Sequence, residues 1–211
     1  MRLDHAFVFT SAGAPEADLL IDLGMREGTS NVHPGQGSAN RRFFFDDFGL
    51  ELIYITDEPE ARTGPGNVIQ SMKRMDAKDG SPFGLVFRAT QEADVGSFPG
   101  FPYQPLYFDK GQFFVVGSNA DILSEPTCVL MPSNLPKRPP QDFSPAPFEH
   151  VTSVCVSTPA TTMSPALARS SEVDRVNIRT GRDHLMEVEF GGGKNGESCD
   201  LRPELPLVIR W

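Results

Sequence analysis

His5 and Glu51 are the two residues of this chain whose types and settings could do chemistry together. An imidazole and a carboxylate on strands of one sheet can hold a divalent cation or move a proton. His5 lies in Leu3-Asp-His-Ala-Phe-Val-Phe-Thr10, whose alternation puts His5, Phe7 and Phe9 on one face and Asp4, Ala6 and Val8 on the other. Glu51 interrupts the apolar run Leu50-Glu-Leu-Ile-Tyr-Ile-Thr56 and shares a face with Ile53 and Ile55; a carboxylate in such a strand needs a partner. Taken singly, each residue has a plainer reading: a half-buried histidine bonded to backbone, and a glutamate paired with Arg41, Arg42 or Arg210.

A second cluster is His33-Pro-Gly-Gln-Gly-Ser-Ala-Asn-Arg41. Gly35 and Gly37 permit close backbone approach, while Gln36, Ser38, Asn40 and Arg41 supply donors for a carboxylate or another oxygen-rich ligand. The segment has neither the Lys-Ser/Thr ending of a phosphate loop nor dinucleotide-binding spacing. Of the adjacent pair Arg41 and Arg42, one should face the ligand and the other solvent. Glu187 and Glu189 alternate on one strand and read first as a solvated face, with a spare catalytic base as the sharper alternative. No spacing pairs Cys128, Cys155 or Cys199 with a histidine for nucleophilic chemistry.

The elements that must position these residues form a strand, helix and three-strand order over residues 1–57. Leu19, Leu20 and Leu23 at helical spacing, after Pro15 and before Gly24, predict its helix. A similar order recurs over 82–132, with a degenerate helix near Gln91–Val95, and over 148–211, with a helix at Pro165–Glu172 started by Ser164. The connectors are 58–81, with a short helix from Val68 to Met75, and the proline-rich, extended 133–147.

Composition narrows the class. A hydrophobic share of 39% with 22% charged residues suits a globular chain of one or two domains. A net charge of -9 with scattered cations argues against a nucleic-acid partner. Three widely spaced cysteines suggest a reducing compartment, and no apolar run approaches a membrane span, so the expected location is the cytoplasm, away from membranes. The expected partner is a small-molecule ligand, with one unit available for homodimerisation.

On Leu3-Asp-His5, the His33 to Arg41 segment, the aromatic strand leading to Leu50-Glu-Leu52, Ser81-Pro-Phe-Gly84 and Asp200 to Trp211, the chain resembles the vicinal-oxygen-chelate superfamily of glyoxalases, bleomycin-resistance proteins and dioxygenases. More narrowly, it is similar to bacterial glyoxalase-like domain proteins. The resemblance implies an α+β fold of repeated β-α-β-β-β modules, whose curved, mostly antiparallel sheets surround a cup-shaped cavity. In metal-dependent relatives a first-strand histidine and a last-strand glutamate from paired modules converge on a divalent metal (Zn, Mn, Fe, Ni or Co). His5 and Glu51 match that pattern, with Glu51 also the candidate catalytic carboxylate, whereas Phe83 and Pro206 stand where further ligands are sought. His150 offers a third ligand, although alignment by strand end puts Ser153 there instead. Two functions follow: a metal-assisted lyase, isomerase or dioxygenase, or a metal-free binding or sequestration protein. In the second, His33, Gln36, Asn40 and Arg41 would hold an anionic or aromatic compound.

Overall fold

Alternating apolar and polar residues over the first 57 positions fold as β1 (Arg2–Phe9), α1 (Ala17–Asp22), β2 (Asn31–His33), β3 (Ser38–Phe44) and β4 (Gly49–Ile55). The computed structural model describes residues 1–135 and 142–211; part of the proline-rich connector, including Lys137 and Arg138, lies outside the described residues. The first connector is more helical than its sequence suggests, with α2 (Glu58–Thr63), a 3-10 turn (Pro65–Ile69) and α3 (Ser71–Asp76). Asp57 starts α2 by accepting the Glu60 N–H at 2.9 Å.

The middle unit holds β5 (Phe83–Arg88), α4 (Glu92–Ser97), β6 (Gly100–Tyr103), β7 (Phe114–Gly117) and β8 (Thr127–Met131). Its expected degenerate helix is formed, because Gln91 and Asp94 make a reciprocal capping box that satisfies the free N–H groups of a one-and-a-half-turn helix. The last unit holds β9 (Val151–Thr158), α5 (Pro165–Ser171), β10 (Val176–Thr180), β11 (Leu185–Phe190), β12 (Ser198–Asp200) and β13 (Leu207–Arg210), one strand more than its sequence pattern indicates.

The first two units share an eight-stranded sheet in the order β2-β3-β4-β1-β5-β8-β7-β6. β1 runs parallel to β4 and antiparallel to β5, and β5 runs parallel to β8, so the units meet through their first strands. The last unit forms its own sheet, β10-β9-β11-β13-β12. Its pairings alternate parallel, antiparallel, parallel, antiparallel, which repeats the order β4-β1-β5-β8-β7 in the large sheet. The whole is an α+β fold of mostly antiparallel curved sheets. Among the described residues no helix is long and apolar enough to cross a membrane.

One face of each sheet enters a common core. Leu3, Ala6, Val8, Leu50, Leu52, Leu85, Phe87 and Leu130 of the large sheet share an apolar cluster with Val154, Val156, Met186, Val188, Leu207 and Ile209 of the small one. Phe190 packs edge-on against both Phe45 and Phe148, at 4.9 and 5.3 Å between centroids. The opposite face of the large sheet is thereby left to form the cup.

A buried arginine and a buried glutamate tie the first connector to the middle and last units. Arg74 of α3 is 2% exposed. Its guanidinium donates to the backbone carbonyls of Leu123, Glu125, Asn119 and Ala120. Burial pulls its pKa down to about 10, which leaves it charged at neutral pH. The buried Glu125 carboxylate in turn accepts the N–H and Oγ–H of Ser164 at 2.7 and 2.6 Å, and Ser164 Oγ caps α5 by accepting the Leu167 N–H at 3.2 Å.

Candidate functional site

Strand alternation places Phe7 and Phe9 of β1, Glu51 and Ile53 of β4, Val86 and Arg88 of β5, and Val129 and Met131 of β8 on the face away from the core. They line a cavity of about 620 Å³, with Ser38 and Arg42 of β3 along one side and the loop that carries Tyr107 and Phe108 at its mouth. Phe7 lies opposite Glu51 on one side and Gly84 on the other, so the two halves meet under its ring.

Asp4 joins His5 on this face, against the expected alternation. The β1–β5 register steps from Leu3↔Phe87 to His5↔Val86, which makes Asp4 the extra residue of a β-bulge and turns its side chain into the cup. Asp4 Oδ1 lies 2.9 Å from His5 Nδ1, and Asp4 Oδ2 accepts Arg88 Nε–H at 3.0 Å. An ionised carboxylate can only accept, so His5 Nδ1 bears a proton, and Nε2 faces the cavity. Nε2 stands 3.9 Å from Glu51 Oε1, which is too long for a direct hydrogen bond.

The other oxygen of Glu51 is committed. Asn40, 0% exposed, donates Nδ2–H to Glu51 Oε2 at 2.8 Å. Its amide orientation is set from behind, because Oδ1 accepts the Asn31 N–H at 2.7 Å. The same Nδ2 lies 3.4 Å from His33 Nε2, and His33 Nδ1 lies 3.0 Å from Ser38 Oγ. With Nε2 facing a donor, His33 is read as the neutral Nδ1–H tautomer. Burial lowers its pKa, opposed by the Glu51 charge and assisted by Arg42 and His5. Gln36 Nε2–H donates to Tyr107 Oη at 3.1 Å and links the β2–β3 turn to the loop over the mouth.

His5, His33, Gln36 and Glu51 therefore line one cavity, and buried Asn40 joins them through its bond to Glu51. Arg41 and His150 do neither. Arg41 follows Asn40 on a strand and so points to the opposite face, where it donates to both carboxylate oxygens of Glu27 at 2.7 and 2.6 Å and meets Asp18 at 2.9 Å. Those carboxylates raise its pKa further above the usual arginine range. Arg42 takes the cup-facing place. His150 precedes β9 in the other sheet, 66% exposed and 2.9 Å from Asp46. The residues missed by sequence reasoning are Asp4, Arg88 and Tyr107.

A protein-held divalent cation usually takes three or more protein donors. Among the described residues no group of three or more His, Cys, Asp or Glu is placed to hold one. The cup-facing positions of the partner strands β5 and β8 carry Gly84, Val86, Val129 and Met131, none of them a metal-type donor for a hard cation. The donor set does not fit the expected metal.

No family model matches the chain, and no curated protein does. Among solved structures, a hypothetical protein from Staphylococcus aureus is similar with a TM-score of 0.58 at 10% identity, over 99% of this chain and 98% of that one. A methylmalonyl-CoA epimerase variant from Streptomyces coelicolor, in complex with 2-nitronate-propionyl-CoA, gives 0.42 at 14% identity over 64% of this chain and 98% of its own. A mutant 4-hydroxymandelate synthase from Streptomyces coelicolor gives 0.43 at 13% identity, over 99% and 62%. At such identities likeness speaks to the fold alone.

Proposed function

We propose that the chain is a small-molecule protein of the vicinal-oxygen-chelate type that holds its ligand in the cup through side chains, without a resident metal. The observation that carries this reading is the division of the cup. One side is a polar floor of Asp4, His5 and Glu51, with buried Asn40 bonded to Glu51 beneath it; the other is an apolar wall of Phe7, Phe9, Val129, Met131 and Phe114. A concave, mostly apolar site with a few fixed polar groups is the ordinary design of a ligand pocket. Its volume of about 620 Å³ lies within the range of such pockets. The fixed floor orients a polar head, and the aromatic wall takes the body.

The test is thermal stabilisation by a panel of small aryl and aliphatic compounds, run with a chelator and again with added Zn or Mn. A ligand that binds only the folded state raises the melting temperature with its concentration. The expected result is stabilisation of equal size with and without metal, reduced in Phe114→Ala. Stabilisation that needs stoichiometric metal would overturn the reading.

A further inference from the structure

We infer that the cup takes a molecule whose head donates hydrogen bonds, a primary amine or hydroxyl on an aryl or branched aliphatic body, and that it disfavours carboxylates and phosphates. This rests on the proposed role of the cup as a ligand site and adds the chemical class of the ligand. Of the anionic or aromatic compound that the sequence suggests, it keeps the aromatic body and replaces the anionic head.

Glu51 Oε1 and His5 Nε2 face each other across the floor. Among the described residues Glu51 Oε1 receives no hydrogen bond, since Asn40 engages the other oxygen. His5 turns Nε2 toward Oε1, with Nδ1 held by Asp4. Their separation of 3.9 Å lets one nitrogen or oxygen sit at about 2.8 Å from both, within hydrogen-bond range of each. An amine or a hydroxyl there can donate to the carboxylate. An anionic head would meet a carboxylate instead.

The cations of the cup direct donors to other acceptors. Arg42 donates to Thr29 O at 2.5 Å and to Asn31 Oδ1 at 3.2 Å. Arg88 is held by Asp4 and by Leu135 O at 3.2 Å. The body of the ligand would lie on Phe7 and Phe114, each already in edge-on contact with a neighbouring phenylalanine, Phe9 at 5.3 Å and Phe108 at 4.6 Å. Such rings offer aromatic faces that attract aryl groups and organic cations alike.

Three probes of one shape separate the possibilities: benzylamine, benzyl alcohol and benzoate, titrated at neutral pH by ligand-observed NMR. The expected result is that benzylamine or benzyl alcohol binds about tenfold or more tightly than benzoate, the size of one hydrogen bond to a charged group. Glu51→Gln, with its fold checked by circular dichroism, should bring the three within about twofold of one another by removing that charge. If Glu51→Gln does not fold, Arg42→Gln serves instead and should leave the wild-type ranking in place. Benzoate binding as tightly as the other two, or a ranking lost in Arg42→Gln, overturns the inference while leaving the cup a ligand site. Failure of all three to bind overturns both.

Discussion

Gly84→Ala should damage the protein through one side chain, the Phe7 ring. Gly84 faces Phe7 across the β1–β5 seam. A Cβ at this position would lie 2.0 Å from Phe7 Cζ and 2.1 Å from Cε1. Carbon atoms in contact keep about 3.5–4.0 Å, so the ring must withdraw by about 1.5 Å or more. The Gly84 backbone is not in the left-handed region, so the added methyl is the whole perturbation. The open direction for the ring is into the cup that it lines. Overpacking of this kind costs about 1–3 kcal/mol. In a chain of this length that lowers the melting temperature by about 2–4 °C for each kcal/mol. Urea unfolding gives the cost directly if the slope is unchanged. Adding Phe7→Leu should restore part of the loss, giving a favourable coupling in the double-mutant cycle. Gly84→Ala with wild-type stability, or strict additivity with Phe7→Leu, would refute the reasoning. Ligand binding offers an independent check, since a ring pushed into the cavity must weaken it.

Arg74→Met should cost about 3–5 kcal/mol in urea unfolding, because it leaves four inward carbonyls without their donor. Arg74→Lys should recover little, since an ammonium cannot reproduce the planar fork. Arg41→Gln should cost about 1–3 kcal/mol through its bonds to Glu27, yet leave cup ligands bound as before when measured by calorimetry. Acid should destabilise the fold partly through His33. Its folded pKa is depressed by burial, so the unfolded chain binds the proton more readily, and its contribution is full above about pH 6.5 and is lost as pH falls through the lower folded value. His33→Asn should flatten that limb of the stability curve; an unchanged acid slope would sink this account.

Period-two alternation was enough to put His5 and Glu51 on the cavity face, because both lie in strands whose other residues fix which face is apolar. It also contained a signal that went unused. Ser38, Asn40 and Arg42 share a parity, so a cup-facing Asn40 forbids a cup-facing Arg41 on the same strand. Asp4 was beyond such reasoning, since its direction comes from a bulge, and a bulge is set by the register between β1 and β5. The same limit explains Arg88 and Tyr107, which reach the site only once the first and middle units pair. His150 looked like a ligand because the last unit resembles the first. That unit forms a sheet of its own, and its histidine is carried away from the cup.

All described residues that line the cavity fall within the first 135 positions, while the last 60 or so build the sheet that covers the back of the cup. The cavity lining and the sheet that backs it are thus written in separate stretches of the chain, joined by one core.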